Sequence, residues 1–399
     1  MVFVVWLLAN VGLSSCGQTT LLSDVHAGDG NTTPVIHPNG SGDATTIAYR
    51  VSEPALVSVY LTDAAGKHYV LRDREPRVPM NTDYALRFDG TVRGTSQGDM
   101  AIVQQVLPNG TYHYIVQAES QATHRTMEQQ GTLEVRDAAT KLPLIEDLHV
   151  EPQVVSPNED AIDDVTTFSY HLPITSTVSI AIQAPDGPVP FISDVEEGPY
   201  AQSHIWDGKR QDGSLLASGT YTYTVTARDT VGNVVQRKGQ IRIDSPGRSE
   251  AQITYFNIAP TNVELGGVIT ATIKVKNTGN VPIRTQGPAV GYRYTTHDIF
   301  SSIDGQQWAS KGGGFWRVAV GYDGGPGYPF RWAMTNRPLS QWNVPNHSDL
   351  LQPGEEVKIV GTIQLLERQS KMYFYAGLAH EGVGYPVDRM GVTLVKVGF

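Results

Sequence analysis

The sequence predicts an all-β protein built of about three tandem sandwich domains, and three observations lead there. Its 399 residues exceed one ordinary sandwich and suit about three domains of roughly 100–150 residues. Strand formers are plentiful, with 18 Tyr and with Val and Thr throughout, while 40 Gly and 24 Pro cut them into short runs. An internal repeat then divides the chain. Hydrophobic residues make up 40% of it, enough to fill packed cores.

The first element is an apolar run, Val2-Phe3-Val4-Val5-Trp6-Leu7-Leu8-Ala9, which is too short to span a bilayer but fits the core of a signal peptide. It leads to Leu13-Ser14-Ser15-Cys16, which holds the only cysteine of the chain. A leucine, two small residues and a cysteine resemble the lipobox of bacterial lipoproteins. That resemblance implies cleavage after residue 15, lipidation of Cys16 and a membrane partner reached through the lipid, on the extracytoplasmic side. The departure from the pattern is that no Lys or Arg precedes the run. Residues 16–32, polar and without periodicity, read as a flexible tether.

Two diverged copies follow, expected at 33–138 and 142–246. His37-Pro38-Asn39, Asp43 and Thr45-Thr46-Ile47-Ala48-Tyr49 match Ser156-Pro157-Asn158, Asp164 and Thr166-Thr167-Phe168-Ser169-Tyr170. Phe88-Asp89-Gly90 matches Trp206-Asp207-Gly208, and Asn109-Gly110-Thr111-Tyr112-His113-Tyr114 matches Ser218-Gly219-Thr220-Tyr221-Thr222-Tyr223. The offset drifts from 121 at Tyr49/Tyr170 to 118 at Phe88/Trp206 and 109 at Gly110/Gly219, as duplication with loop insertions would leave it. Alternation in 46–51, 57–61, 177–182 and 219–227 sends one set of side chains inward, the strand pattern of an immunoglobulin-like sandwich. Trp206 reads as a core or rim plug.

Trp206-Asp207-Gly208-Lys209, then Asp212-Gly213 and Ser218-Gly219-Thr220-Tyr221, resemble the Ig-like domain of the flagellar hook-capping protein family, well over about residues 145–245 and more loosely over about 33–136. The resemblance implies spacer, assembly or adhesion roles rather than one activity. In related modules the start motif resembles a calcium loop, and here Asn158, Asp160, Asp163 and Asp164 offer the closely spaced oxygens that a hard cation prefers. The plainer reading is that Asn and Asp cap turns and need no metal. No cofactor is expected, calcium at the second copy being the one possibility.

The linker 244–250 opens the third domain, 251–399, whose strands at 268–279 and 357–363 resemble Ig-type cell-adhesion-related bacterial domains. Between its ends lies an insertion, 291–345, that an ordinary sandwich does not need. It holds four of the six Trp. Trp308, Trp316, Tyr322, Tyr328, Trp332 and Trp342 are candidate ligand-binding residues, because flat aromatic faces beside Asp, Asn and Arg suit stacking on sugar rings. The competing reading is that they pack a long loop onto the sandwich.

A net charge of −10 without basic clusters argues against nucleic acid. There is no phosphate-binding Gly loop, no Gly-x-Ser-x-Gly elbow, and no second His at helical spacing from His380-Glu381, which reads as a turn between strands. No catalytic residue is assigned. The expectation is a non-catalytic surface lipoprotein displaying Ig-like modules for adhesion or surface structure, with an unidentified glycan or protein partner met by the third domain. Carbohydrate binding by the insertion is the alternative, and a surface hydrolase the remote one.

Overall fold

The computed structural model describes residues 20–309 and 313–399. The signal segment 1–15 and the lipidation candidate Cys16 therefore lie outside the described residues. Regular structure is strand throughout, apart from two three-residue 3-10 turns, Asp304–Gln306 and Leu339–Gln341. Six sheets stack in pairs as three sandwiches, each around its own apolar cluster. No helix among the described residues is long and apolar enough to cross a membrane.

In the first sandwich Thr45–Val51 lies between Leu22–Ala27 and Tyr84–Phe88. The facing sheet runs Val35–Ile36, Thr126–Val135, Gly110–Ser120, Ala55–Thr62, His68–Arg77. Strict alternation in Ala55–Thr62 buries Val57, Val59 and Leu61 completely. The expected tether is corrected here. Leu22–Ala27 is an edge strand, paired antiparallel with Thr45–Val51 from Leu22↔Val51 to Ala27↔Ile47. Leu21 and Leu22 are both buried and anchor a segment whose other side chains are mostly polar.

The second sandwich repeats the first. Thr166–His171 lies between Glu146–Glu151 and Ala201–Trp206, facing Gly187–Glu197, Ser176–Ala184, Gly219–Arg228 and Val234–Ile243. Contacts explain the repeated motifs. Pro38 lies so close over Gly90, and Pro157 over Gly208, that a Cβ on either glycine would come within 2.8 Å. Tyr114 presses on Gly131 as Tyr223 presses on Gly239, leaving 2.1 and 2.2 Å for a side chain. The Tyr112 hydroxyl donates to the Pro108 carbonyl (2.9 Å), and that of Tyr221 to Ala217 (2.8 Å). Trp206 is a core plug, 2% exposed.

One feature breaks the repeat. In the first copy Thr91–Arg93 and Met100–Val106 form an arm that leaves its own sandwich. Met100–Val106 pairs antiparallel with Val234–Ile243, so the arm extends the second domain's larger sheet. Asn233, fully buried, seals this junction: its Oδ1 accepts from Val106 N (2.7 Å) and its Nδ2 donates to the Ala139 carbonyl (3.1 Å).

The third sandwich sets Ala251–Ala259, Val268–Asn277, Glu356–Gln364 and Arg293–Thr295 against a seven-stranded sheet. The expected insertion is corrected too. Trp316–Tyr322 is a central strand of that sheet, paired along its length with Lys371–His380 and flanked by Ile283–Thr285. All seven of its residues are buried. A strand covered on both faces has no apolar–polar alternation, which is why it reads as an addition rather than as framework.

Candidate functional site

The six aromatic residues do not form a binding platform. Trp308, Trp316, Tyr322, Tyr328, Trp332 and Trp342 are all buried, none more than 7% exposed, and no face is free for a sugar ring. Trp332 crosses Gly361, where a Cβ would come within 2.2 Å of the indole, and donates Nε1–H to the Tyr292 carbonyl (3.2 Å). Trp308 donates to Asp304 Oδ2 (2.9 Å) and Trp342 to the Arg337 carbonyl (2.9 Å). Tyr322 packs between Phe330 and Phe374, and Tyr328 against Gly377. Trp316, Tyr322 and Trp332 are part of the strand framework, while Trp308 and Trp342 pin the loops around it through their buried rings and satisfied N–H groups.

The proposed calcium oxygens are likewise turned to other work. Asp164 accepts the backbone N–H groups of Asn158 (2.9 Å), Glu159 (2.8 Å) and Ala161 (2.7 Å), filling the loop it closes. Asn158 Oδ1 accepts from Asp160 N (3.0 Å). Asp160 Oδ1 accepts from Ile162 N, and its Oδ2 lies 3.0 Å from Arg284 Nη2 of the third domain. Asp163 contributes its carbonyl, to Ser156 N (2.6 Å). Among the described residues no group of three or more His, Cys, Asp or Glu side chains is placed to hold a metal. In the first copy Asp43 accepts from His37 N (2.9 Å), and Gly40 lies against Val231 of the next domain. In both copies the start loop is therefore a joint to the following domain.

The second joint is the more elaborate one. Ser249 N donates to the Asn158 carbonyl and Gly247 N to the Pro157 carbonyl, both at 2.9 Å, which ties the linker back to the loop. Gly314 passes so close that a Cβ would sit 2.3 Å from the Asp160 carbonyl oxygen, and its N–H donates to the Glu381 carbonyl (2.7 Å). His380 ends its strand stacked on Trp316, with ring centroids 4.4 Å apart. It was expected in a turn but is 3% exposed. The Asp160 carbonyl lies beside the ring. Burial pulls its pKa below the ordinary histidine value, so the ring is neutral at pH 7. Burial raises the Asp160 carboxyl against the pull of Arg284.

Behind the joint, Arg317 and Arg331 both bind Glu381, Arg317 through Nη1 at 3.0 Å. Arg317 is fully buried; burial, opposed by Glu381, lowers its pKa to about 10. Phe300 faces both guanidinium groups, at 4.9 Å and 4.0 Å.

A cleft of about 640 Å³ opens beside the joint, lined by Glu159, Arg248, Ser249, Trp316, His380 and Val383 among others. Among the described residues, four buried side-chain polar atoms lack a hydrogen-bond partner: Ser249 Oγ, Arg284 Nη2, Trp316 Nε1 and His380 Nε2. All four belong to this junction. Arg284 Nη2 nevertheless has the Asp160 carboxylate 3.0 Å away as an ion-pair partner. A buried polar atom without a partner costs about 1–3 kcal/mol, and such atoms are rare, so Ser249 Oγ, Trp316 Nε1 and His380 Nε2 together mark this joint off from the rest of the described residues. Sequence reading missed this site because Ser249 sits in a linker, and His380 and Asp160 come together only across two domains.

No protein-family model matches the chain, and no curated protein matches it. Solved structures of other proteins resemble it distantly. A tetra-tandem repeat from the extending region of a large adhesion protein covers 94% of this chain and 73% of its own, at 11% identity and a TM-score of 0.20. The FN1–FN3 domains of chicken CNTN1 cover 94% and 97%, at 9% identity and 0.28. A segment of a 1.5-MDa bacterial ice-binding adhesin covers 95% and 98%, at 12% and 0.22. At such scores the likeness supports neither a shared domain arrangement nor a shared activity.

Proposed function

We propose that the chain is a non-catalytic cell-surface protein, anchored through a lipid on Cys16, whose first two Ig-like domains carry the third as the contacting end. The observation that carries this reading is the pair of built joints. An arm from the first domain completes a sheet of the second, and the start loop of the second is wedged into the third by Asp160–Arg284 and Gly314. Domains meant to move independently have small polar contacts and free linkers. Joints of this kind instead suit a display arm. The hook-capping and cell-adhesion resemblances point the same way.

Two measurements test it. Metabolic labelling with a fatty-acid analogue should mark the wild type and not Cys16→Ala. Deleting residues 251–399 from the displayed chain should abolish attachment to the partner surface while the remainder stays displayed. Attachment that survives that deletion would move the contact to the first two domains.

A further inference from the structure

We propose that the cleft between the second and third domains binds a neutral, hydroxyl-bearing small ligand, of which a single sugar residue is the type. This deepens the reading of the third domain as the contacting end and rests on it. Three of the four unpartnered atoms belong to residues that line the cleft: Ser249 is 9% exposed, Trp316 2% and His380 3%. Their unpartnered atoms are buried beneath the cleft lining rather than on a wet surface.

Their chemistry selects the ligand. The Trp316 indole N–H can only donate. The neutral His380 ring leaves Nε2 unpartnered, and that nitrogen donates or accepts according to its tautomer. The Ser249 hydroxyl does both. A ligand that satisfies all three must accept from the indole and offer groups able to donate or accept at the serine and the imidazole. An ammonium group cannot accept from the indole. Neighbouring hydroxyls of a sugar both donate and accept.

The rest of the cleft agrees. Arg248 is 3.6 Å from Glu250, which leaves Glu159 as the unbalanced rim charge and disfavours anions. Val383, Pro386 and Val387 give an apolar wall for a C–H face. The volume falls within the usual range of ligand pockets, roughly 300–1,000 Å³, and exceeds what isolated waters need. The floor atoms are covered in this state, so entry requires the lip to yield. Val383 stands 58% exposed there between Gly382 and Gly384, both at positive φ.

The test uses the full chain, titrated by calorimetry and saturation-transfer NMR with glucose, galactose, mannose and N-acetylglucosamine, and with glucuronic acid as the charged comparison. At least one neutral sugar should bind, with Kd raised tenfold or more in Ser249→Ala and in Trp316→Phe, which keeps an aromatic ring but removes the N–H. Glucuronic acid should bind more weakly. Ser249→Ala guards against a folding defect in the tryptophan variant. Absence of binding to any neutral sugar by the folded wild type would overturn the proposal. So would unchanged affinity in both variants, or a crystal structure from sugar-saturated solution with only ordered water on the three atoms. If attachment needs residues 251–399 but is unaffected by Ser249→Ala, the display role stands and the ligand class falls.

Discussion

At the scale of single residues, the aromatic third domain is a matter of stability before recognition. Trp332 has no exposed surface and its N–H is satisfied, so Trp332→Ala should cost about 3–5 kcal/mol, read as a lower urea midpoint. Asp164 holds three backbone N–H groups. Asp164→Ala should cost about 2–3 kcal/mol, since hydrogen bonds to a charged group are among the stronger ones. If its role is to close the loop, neither added calcium nor a chelator will shift the melting temperature of the wild type. A calcium-dependent rise would restore the metal reading. The sequence made the right residues visible here and left their partners open. An Asn-x-Asp run looks alike whether its oxygens face a cation or the chain's own N–H groups, and only the fold decides.

At the scale of elements, the second joint should respond to pH with a definite sign. The buried His380 has a folded pKa below its unfolded value of about 6.5, so below that value the unfolded chain binds the proton that the folded chain refuses. Stability from this group is therefore full at neutral pH and falls as pH drops through about 6.5. Asp160 has the opposite sign: its raised carboxyl takes up a proton earlier in the fold, and this acts at lower pH, near the carboxylate range. Between about pH 7 and 5 the histidine should dominate, and melting curves over that window should lose their slope in His380→Phe. The first joint hangs on Asn233. Asn233→Ala strands the Val106 N–H in a buried setting, and should cost about 1–3 kcal/mol and split one thermal transition into two.

How far the elements could be read in advance followed their burial. Half-buried strands such as Ala55–Thr62 and Gly219–Arg228 alternate and were legible, and so were the repeat and the all-β class. Trp316–Tyr322, buried on both faces, and the Gln-rich arm strand Met100–Val106, whose role is to join another domain's sheet, carry no alternating signature. Leu22–Ala27 was hidden by its polar residues.

At the scale of the whole molecule, the three sandwiches are coupled in series, and the charge of −10 is spread along the chain. Small-angle scattering should show one narrow distribution of distances for the wild type. Replacing arm residues 94–103 by a short turn should broaden it by freeing the first domain.

The arm also bears on how the protein is made. An unpaired strand edge is a template for pairing between chains. Val234–Ile243 would offer such an edge at its Val234–Arg237 end, but Met100–Val106 already occupies it. Domains fold in order of synthesis, so the first, with its arm, is complete when the second leaves the ribosome or the secretion channel. The nascent second domain thus meets its cover before it meets a neighbour. A fragment starting at residue 142 would lack that guard and should self-associate where the longer chain stays monodisperse.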